Sequence, residues 1–71
     1  MDTDVASKIS TLMHRISGDL NASVFLIEET CSQSEFEAYR LAIGKVMGEI
    51  FCEVLNPLYR SFPQLKPPGF D

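Results

Sequence analysis

The fold turns on the stretch Ser32-Gln33-Ser34-Glu35-Phe36-Glu37. It holds two overlapping helix-start signals, Ser32 with Glu35 and Ser34 with Glu37. In such a capping box the Ser side chain and the acid three residues on satisfy each other's free backbone N–H groups. Downstream, Phe36, Tyr39, Ile43, Val46, Met47, Ile50 and Val54 recur at steps of three and four, with Arg40, Lys45, Glu49 and Glu53 outside that stripe. The spacing predicts a helix over about 34–56. Asn56-Pro57 then ends or bends it, because Pro57 has no N–H and its ring clashes with the preceding turn. The same pair equally starts a short helix over 57–62, with Asn as cap and Pro at the first helical position.

Upstream, Val5, Ile9, Leu12, Ile16, Leu20, Val24, Ile27 and Cys31 also step by three and four, with Met13 widening the stripe. Asp2, Thr3 and Asp4 are N-cap candidates that suit the positive end of a helix dipole. Ser23 to Ile27 alone is compatible with a strand, which would need a partner from another chain. The stepping passes through Gly18 without slipping phase, so the preferred reading is one long helix over about 4–30, with a kink at Gly18 left open. The turn lies at 31–34. The last nine residues hold three of the four prolines and Gly69, which predicts an extended tail over 63–71.

The expected architecture is therefore all-α: an antiparallel helical hairpin over 1–62 followed by the tail. Arms of about 27 and 22 residues are on the order of 33–40 Å long at 1.5 Å per residue. On a helical wheel Leu41, Phe51, Cys52, Leu55 and Tyr59 fall on an arc adjoining the main stripe of the second helix, and one partner helix cannot cover both. Two hairpins pairing into a four-helix bundle solve that problem. A homodimer is expected, with Phe36, Tyr39, Ile43, Gly44, Val46, Met47, Gly48, Ile50, Phe51, Val54 and Leu55 as the candidate helix-packing or dimer interface.

Size supports the same expectation. With 71 residues, 45% apolar and 23% charged, the chain carries a core but not a large one. The ordering cost of roughly 1.5 kcal/mol per residue is rarely offset at this length without a disulfide, a metal or a second subunit. Cys31 and Cys52 form no C-x-x-C, and in a hairpin about 30 Å of helix would separate them, so a bond within the chain is excluded and reduced thiols are expected. The single histidine, His14, has no second ligand at metal spacing. No metal, cofactor or catalytic residue is predicted.

The net charge is −4 with a pI near 4.7. Six acids against Lys8 and Arg15 make residues 1–35 carry all of it, while residues 36–71 balance at four of each sign. No basic stripe is present to meet a phosphate backbone, so no direct nucleic-acid binding is expected. The acids at Asp2 and Asp4 do not suit a signal peptide, and the longest aliphatic or aromatic run, Val24 to Ile27, is far below the ~20 residues of a membrane span. The expected location is the cytoplasm, with no membrane partner.

Other features have bland readings beside functional ones. Gly44 and Gly48 form a small-x-x-x-small pair that allows close helix approach, and a hairpin turning near residue 33 would set Gly48 against Gly18 and Gly44 against Ala22. His14 reads as solvated. Glu28, Glu29, Glu35 and Glu37 gather at the tip as a candidate acidic surface for a partner. Tyr39, Phe51, Tyr59, Phe62 and Phe70 read as an aromatic binding surface or, for the first three, as core. The tail has no P-x-x-P.

From Glu37 to Pro67 the motifs Glu37-Ala38-Tyr39-Arg40, Ile43-Gly44, Val46-Met47-Gly48-Glu49, Asn56-Pro57-Leu58-Tyr59 and Pro63-x-Leu65-Lys66-Pro67 resemble the C-terminal half of a family of small uncharacterised bacterial proteins. The resemblance implies a short helical protein and brings no activity or functional residue with it. The expected function is a non-enzymatic protein-interaction or regulatory module, dimeric, presenting its acidic tip and tail to another protein. The alternative is a ligand- or metal-binding bundle or small enzyme using His14 and the glutamates. A third expectation is an indirect partner of nucleic acid through another protein.

Overall fold

The computed structural model describes residues 1–70. Helix α1 spans Thr3–Thr30, runs without a break through Gly18, and includes the 23–27 stretch that alone could have been a strand. Asp2 caps it: the carboxylate oxygen Oδ1 accepts the Val5 N–H at 2.9 Å. Two residues later the chain starts again, with Ser32 as cap of α2, Gln33–Glu49. Of the two capping boxes, Ser32 with Glu35 is the one formed. The Glu35 N–H donates to Ser32 Oγ, and the Ser32 N–H donates back to Glu35 Oε1, both at 3.2 Å. No strand occurs among the described residues.

The helix does not break before Pro57. It widens into a π-helical segment, Ile50–Leu55, and continues as α3, Asn56–Ser61. In an unbroken α-helix the Pro57 ring would press on the Glu53 carbonyl. Here the bonding pattern shifts to i→i+5, with the Asn56 N–H donating to the Phe51 carbonyl, and proline enters in the first turn of α3. An extra residue in the turn rotates everything after it by about 100° relative to an α-helix. That rotation corrects the two-arc picture: Leu55 and Tyr59, expected on an arc that α1 could not reach, are buried, whereas Leu41 and Cys52 stay exposed.

The core lies at the open end of the hairpin. Ala6 and Leu55 are wholly buried, with Leu58 and Tyr59 nearly so, and Ile9, Met13, Ile50, Phe51, Phe62, Leu65 and Phe70 pack around them. The face of α1 that meets the second arm is also not the one its apolar stripe predicts. Ala6, Ser10 and Ser17 are its buried residues, while Val5 is exposed and Ile9, Leu12 and Ile16 are only half-buried. Small side chains let the two backbones approach, so the seam of Ala and Ser faces inward and the large aliphatics are turned to one side.

The tail is more structured than an extended strand. Pro63–Leu65 forms a 3-10 turn. In Pro67-Pro68-Gly69-Phe70 the Phe70 N–H donates to the Pro67 carbonyl at 3.2 Å, with Gly69 at φ +80°. Proline at the second position and a positive-φ glycine at the third are what a type II turn requires. The tail therefore doubles back, carrying Phe70 onto the helices; the final residue of the expected tail, Asp71, lies outside the described residues.

Candidate functional site

The most connected polar cluster lies inside the open end. Ser10 and His14, four residues apart on α1, both reach the Tyr59 hydroxyl of α3. The Ser10 bond is short, and the His14 Nε2 bond is 2.9 Å. Tyr59 has one proton, so it donates to one neighbour and accepts from the other; when His14 Nε2 is the unprotonated tautomer, the order is Ser10 to Tyr59 to His14. Phe70 closes the cluster, edge-on to Tyr59 at 5.0 Å and to His14 at 6.0 Å between ring centres, and 5.2 Å from Phe51. These separations are those of favourable aromatic pairs.

The cluster joins α1, α3 and the tail. Ser10 and Tyr59 are nearly inaccessible, so neither presents a nucleophile to an incoming substrate. His14 is exposed at the rim. What the arrangement does chemically is satisfy buried hydroxyls while fixing the register of the arms. A second tie works the same way at mid-hairpin. The Ser23 hydroxyl donates to the Leu20 carbonyl at 2.6 Å and accepts from the Tyr39 hydroxyl at 2.8 Å. Ser17 Oγ, between the two ties, is buried with no hydrogen-bond partner.

Sequence reasoning placed His14 in solvent and passed over Ser10. The available signal was the i, i+4 spacing of Ser10 and His14, in line with Ala6. Their partner stands 45 and 49 residues away, beyond any local pattern.

The four tip glutamates are all exposed. They are not equivalent. The Ser32 side chain and backbone hydrogen bonds hold the Glu35 carboxyl below its ordinary range, and Glu37 accepts from Gln33 Nε2 at 3.2 Å. Glu35 is thus part of the helix cap, and Glu28 and Glu29 sit at the C-terminal end of α1. Among the described residues no group of three or more His, Cys, Asp or Glu side chains is arranged to hold a metal ion. Cys31 and Cys52 are free thiols.

Of the candidate interface residues, Leu55 is buried, Gly44 and Val46 are exposed, and Phe36, Tyr39, Ile43, Met47, Gly48, Ile50, Phe51 and Val54 are half-buried. A Cβ added at Gly18, Gly44 or Gly48 would meet no atom within 4 Å. The glycines therefore do not serve close packing within the chain, which corrects the pairing of Gly48 with Gly18 and Gly44 with Ala22. Two open grooves run between the arms. One of about 470 Å³ at the open end is lined by Ile9, Glu53, Val54, Pro57, Leu58 and Phe62 among others, and one of about 450 Å³ near the tip by Ile27, Cys31, Glu35, Ala38 and Tyr39. No helix among the described residues is long and apolar enough to cross a membrane. No protein-family model, no curated protein and no solved structure matches the chain.

Proposed function

We propose that the chain is a non-enzymatic protein-interaction module that works as a helical homodimer in the cytoplasm, two hairpins forming a four-helix bundle. The observation that carries this reading is the imbalance of its apolar surface. Among the described residues only Ala6, Leu55, Leu58 and Tyr59 are buried apolar residues, whereas Val5 and Val46 are nearly half exposed and Ile9, Leu12, Ile16 and Ile27 only half-buried. A hairpin with so small a core does not offset its ordering cost alone, and a second copy offers a matching apolar face. Glu28 and Glu29 then remain on the solvated tip as a surface for a basic partner, where charge would speed encounter more than it would tighten binding.

Native mass spectrometry of the purified protein tests the reading. The expected species is a dimer free of stoichiometric metal or small molecule. A ligand retained at one per chain or one per dimer would replace this reading with the alternative, a ligand-binding bundle.

A further inference from the structure

Ile9 and Ile27 stand 18 residues apart, five full turns at 3.6 residues per turn, so they share one azimuth on α1. Each lines one of the two grooves between the arms, Ile9 with Val54 and Phe62 at the open end, Ile27 with Ala38 and Tyr39 near the tip. Both grooves therefore open on the same side of the hairpin. Leu12 and Ile16 lie along the line joining them, half-buried. The other side is occupied at its open end by Phe70, resting on His14 and Phe51. One broad side is thus an uncovered aliphatic face running the length of the molecule.

Resting on the dimer reading above, we propose that this Ile9–Ile27 face, and not the glycine-bearing side of α2, receives the second copy, with the two-fold axis parallel to the helices so that each α1 lies across α2 of its partner. The outline of the chain is large enough for such an interface. The long and middle dimensions of the chain, 45 and 21 Å, outline on the order of 900 Å², against about 800 Å² per partner in a standard stable interface.

Charge selects the orientation. The outer edge of α1 carries Lys8, Arg15 and Asp19, with Lys8 and Arg15 beside Leu12. The outer edge of the second arm carries Lys45, Glu49 and Glu53, with Glu53 at the mouth of the open-end groove. All six are exposed. The ties of Ser10 to Tyr59 and Ser23 to Tyr39 fix the relative height of the arms. They set Arg15 level with Glu49 and Asp19 level with Lys45 to within about a turn, whereas Lys8 stands about two turns from Glu53. Within one chain these edges point away from each other. An axis parallel to the helices preserves height and brings each edge of one copy against the opposite edge of the other, making two pairs of opposite sign along each edge, Arg15 with Glu49 and Asp19 with Lys45. An axis perpendicular to the helices would instead set α1 against α1 with heights inverted, which forms neither of these pairs. Exposed pairs of this type add little affinity, but they form in only one of the two arrangements and so favour it.

Sedimentation equilibrium on point variants, with circular dichroism to confirm folding, tests both parts. Ile16→Glu and Leu12→Glu should each raise the dimer dissociation constant at least ~tenfold, and Leu41→Glu should leave it within about twofold. Arg15→Glu and Glu49→Arg should each weaken the dimer, and the two together in one chain should restore it. A monomeric parent protein would overturn the dimer reading and this proposal with it. A dimeric parent that survives both Ile16→Glu and Leu12→Glu, or falls apart with Leu41→Glu, would overturn the face while leaving the dimer standing. Failure of the double charge swap to restore association would overturn the orientation. Two variants on the face keep the test decisive should one of them fail to fold.

Discussion

Replacing Tyr59 by Phe removes one oxygen atom and no packing volume, so its cost isolates the hydroxyl that joins α1 to α3. In the parent structure that hydroxyl partners Ser10 Oγ and His14 Nε2. Ser10 is only 8% exposed, so water does not readily replace the lost partner. An unsatisfied buried group costs about 1–3 kcal/mol. The Ser10 hydroxyl can swing to the Ala6 carbonyl one helical turn back, which keeps the cost in the lower half of that range. A loss of about 1.5 kcal/mol lowers Tm by roughly 6–12 °C in a chain of this size. Ser10→Ala alone costs less, about 0.5–1 kcal/mol, because Tyr59 keeps His14. The double variant should cost little more than Tyr59→Phe, leaving a coupling of about 0.5–1 kcal/mol between positions 10 and 59. Urea unfolding followed by circular dichroism, at one fixed protein concentration, measures all three. A Tyr59→Phe variant as stable as the parent, with no coupling in the cycle, would refute the argument that this bond secures the arms.

Leu55→Ala, at the only large side chain among the described residues that is wholly buried, should cost about 2–5 kcal/mol in the same assay, a large part of the total for so small a core. The Glu35 carboxyl is held below its ordinary range by Ser32, so the unfolded chain binds the more protons; its contribution is present above the unfolded pKa and disappears as pH falls through the folded one. Thermal melts between pH 3 and 6 should therefore lose part of their acid slope in Glu35→Ala. Ser32→Ala, which removes the acceptor of the capping box, should lower stability by about 0.5–2 kcal/mol at neutral pH. Tm should rise with protein concentration, as it does when folding and association are linked; melts independent of concentration would count against the homodimer.

The two long helices were legible because their signals are local: a capping box, an Asp cap and three-four stepping all act within a turn or two of themselves. What Pro57 does to the helix was not. Proline removes a donor and a carbonyl's space, and the sequence does not say whether the helix answers by ending or by widening. Here it widens over Ile50–Leu55 and rotates Leu55 and Tyr59 into the core. The buried face of α1 was misread for a related reason. Hydrophobicity marks the large aliphatics, but close approach of two helices rewards Ala6, Ser10 and Ser17. Ser10 finds its partner only because Tyr59 arrives from the other arm. In the tail, Pro68 and Gly69 hold positions a type II turn demands, a pattern masked by reading the prolines together as extended chain.

Sedimentation equilibrium of the unmodified protein, under reducing conditions across the micromolar range, bears most directly on whether one hairpin is complete. The account predicts a folded species of twice the 8.0 kDa chain mass, dissociating only on dilution. A folded, helical species that stays at 8.0 kDa at every concentration would contradict it, because the exposed aliphatic face would then need no second copy.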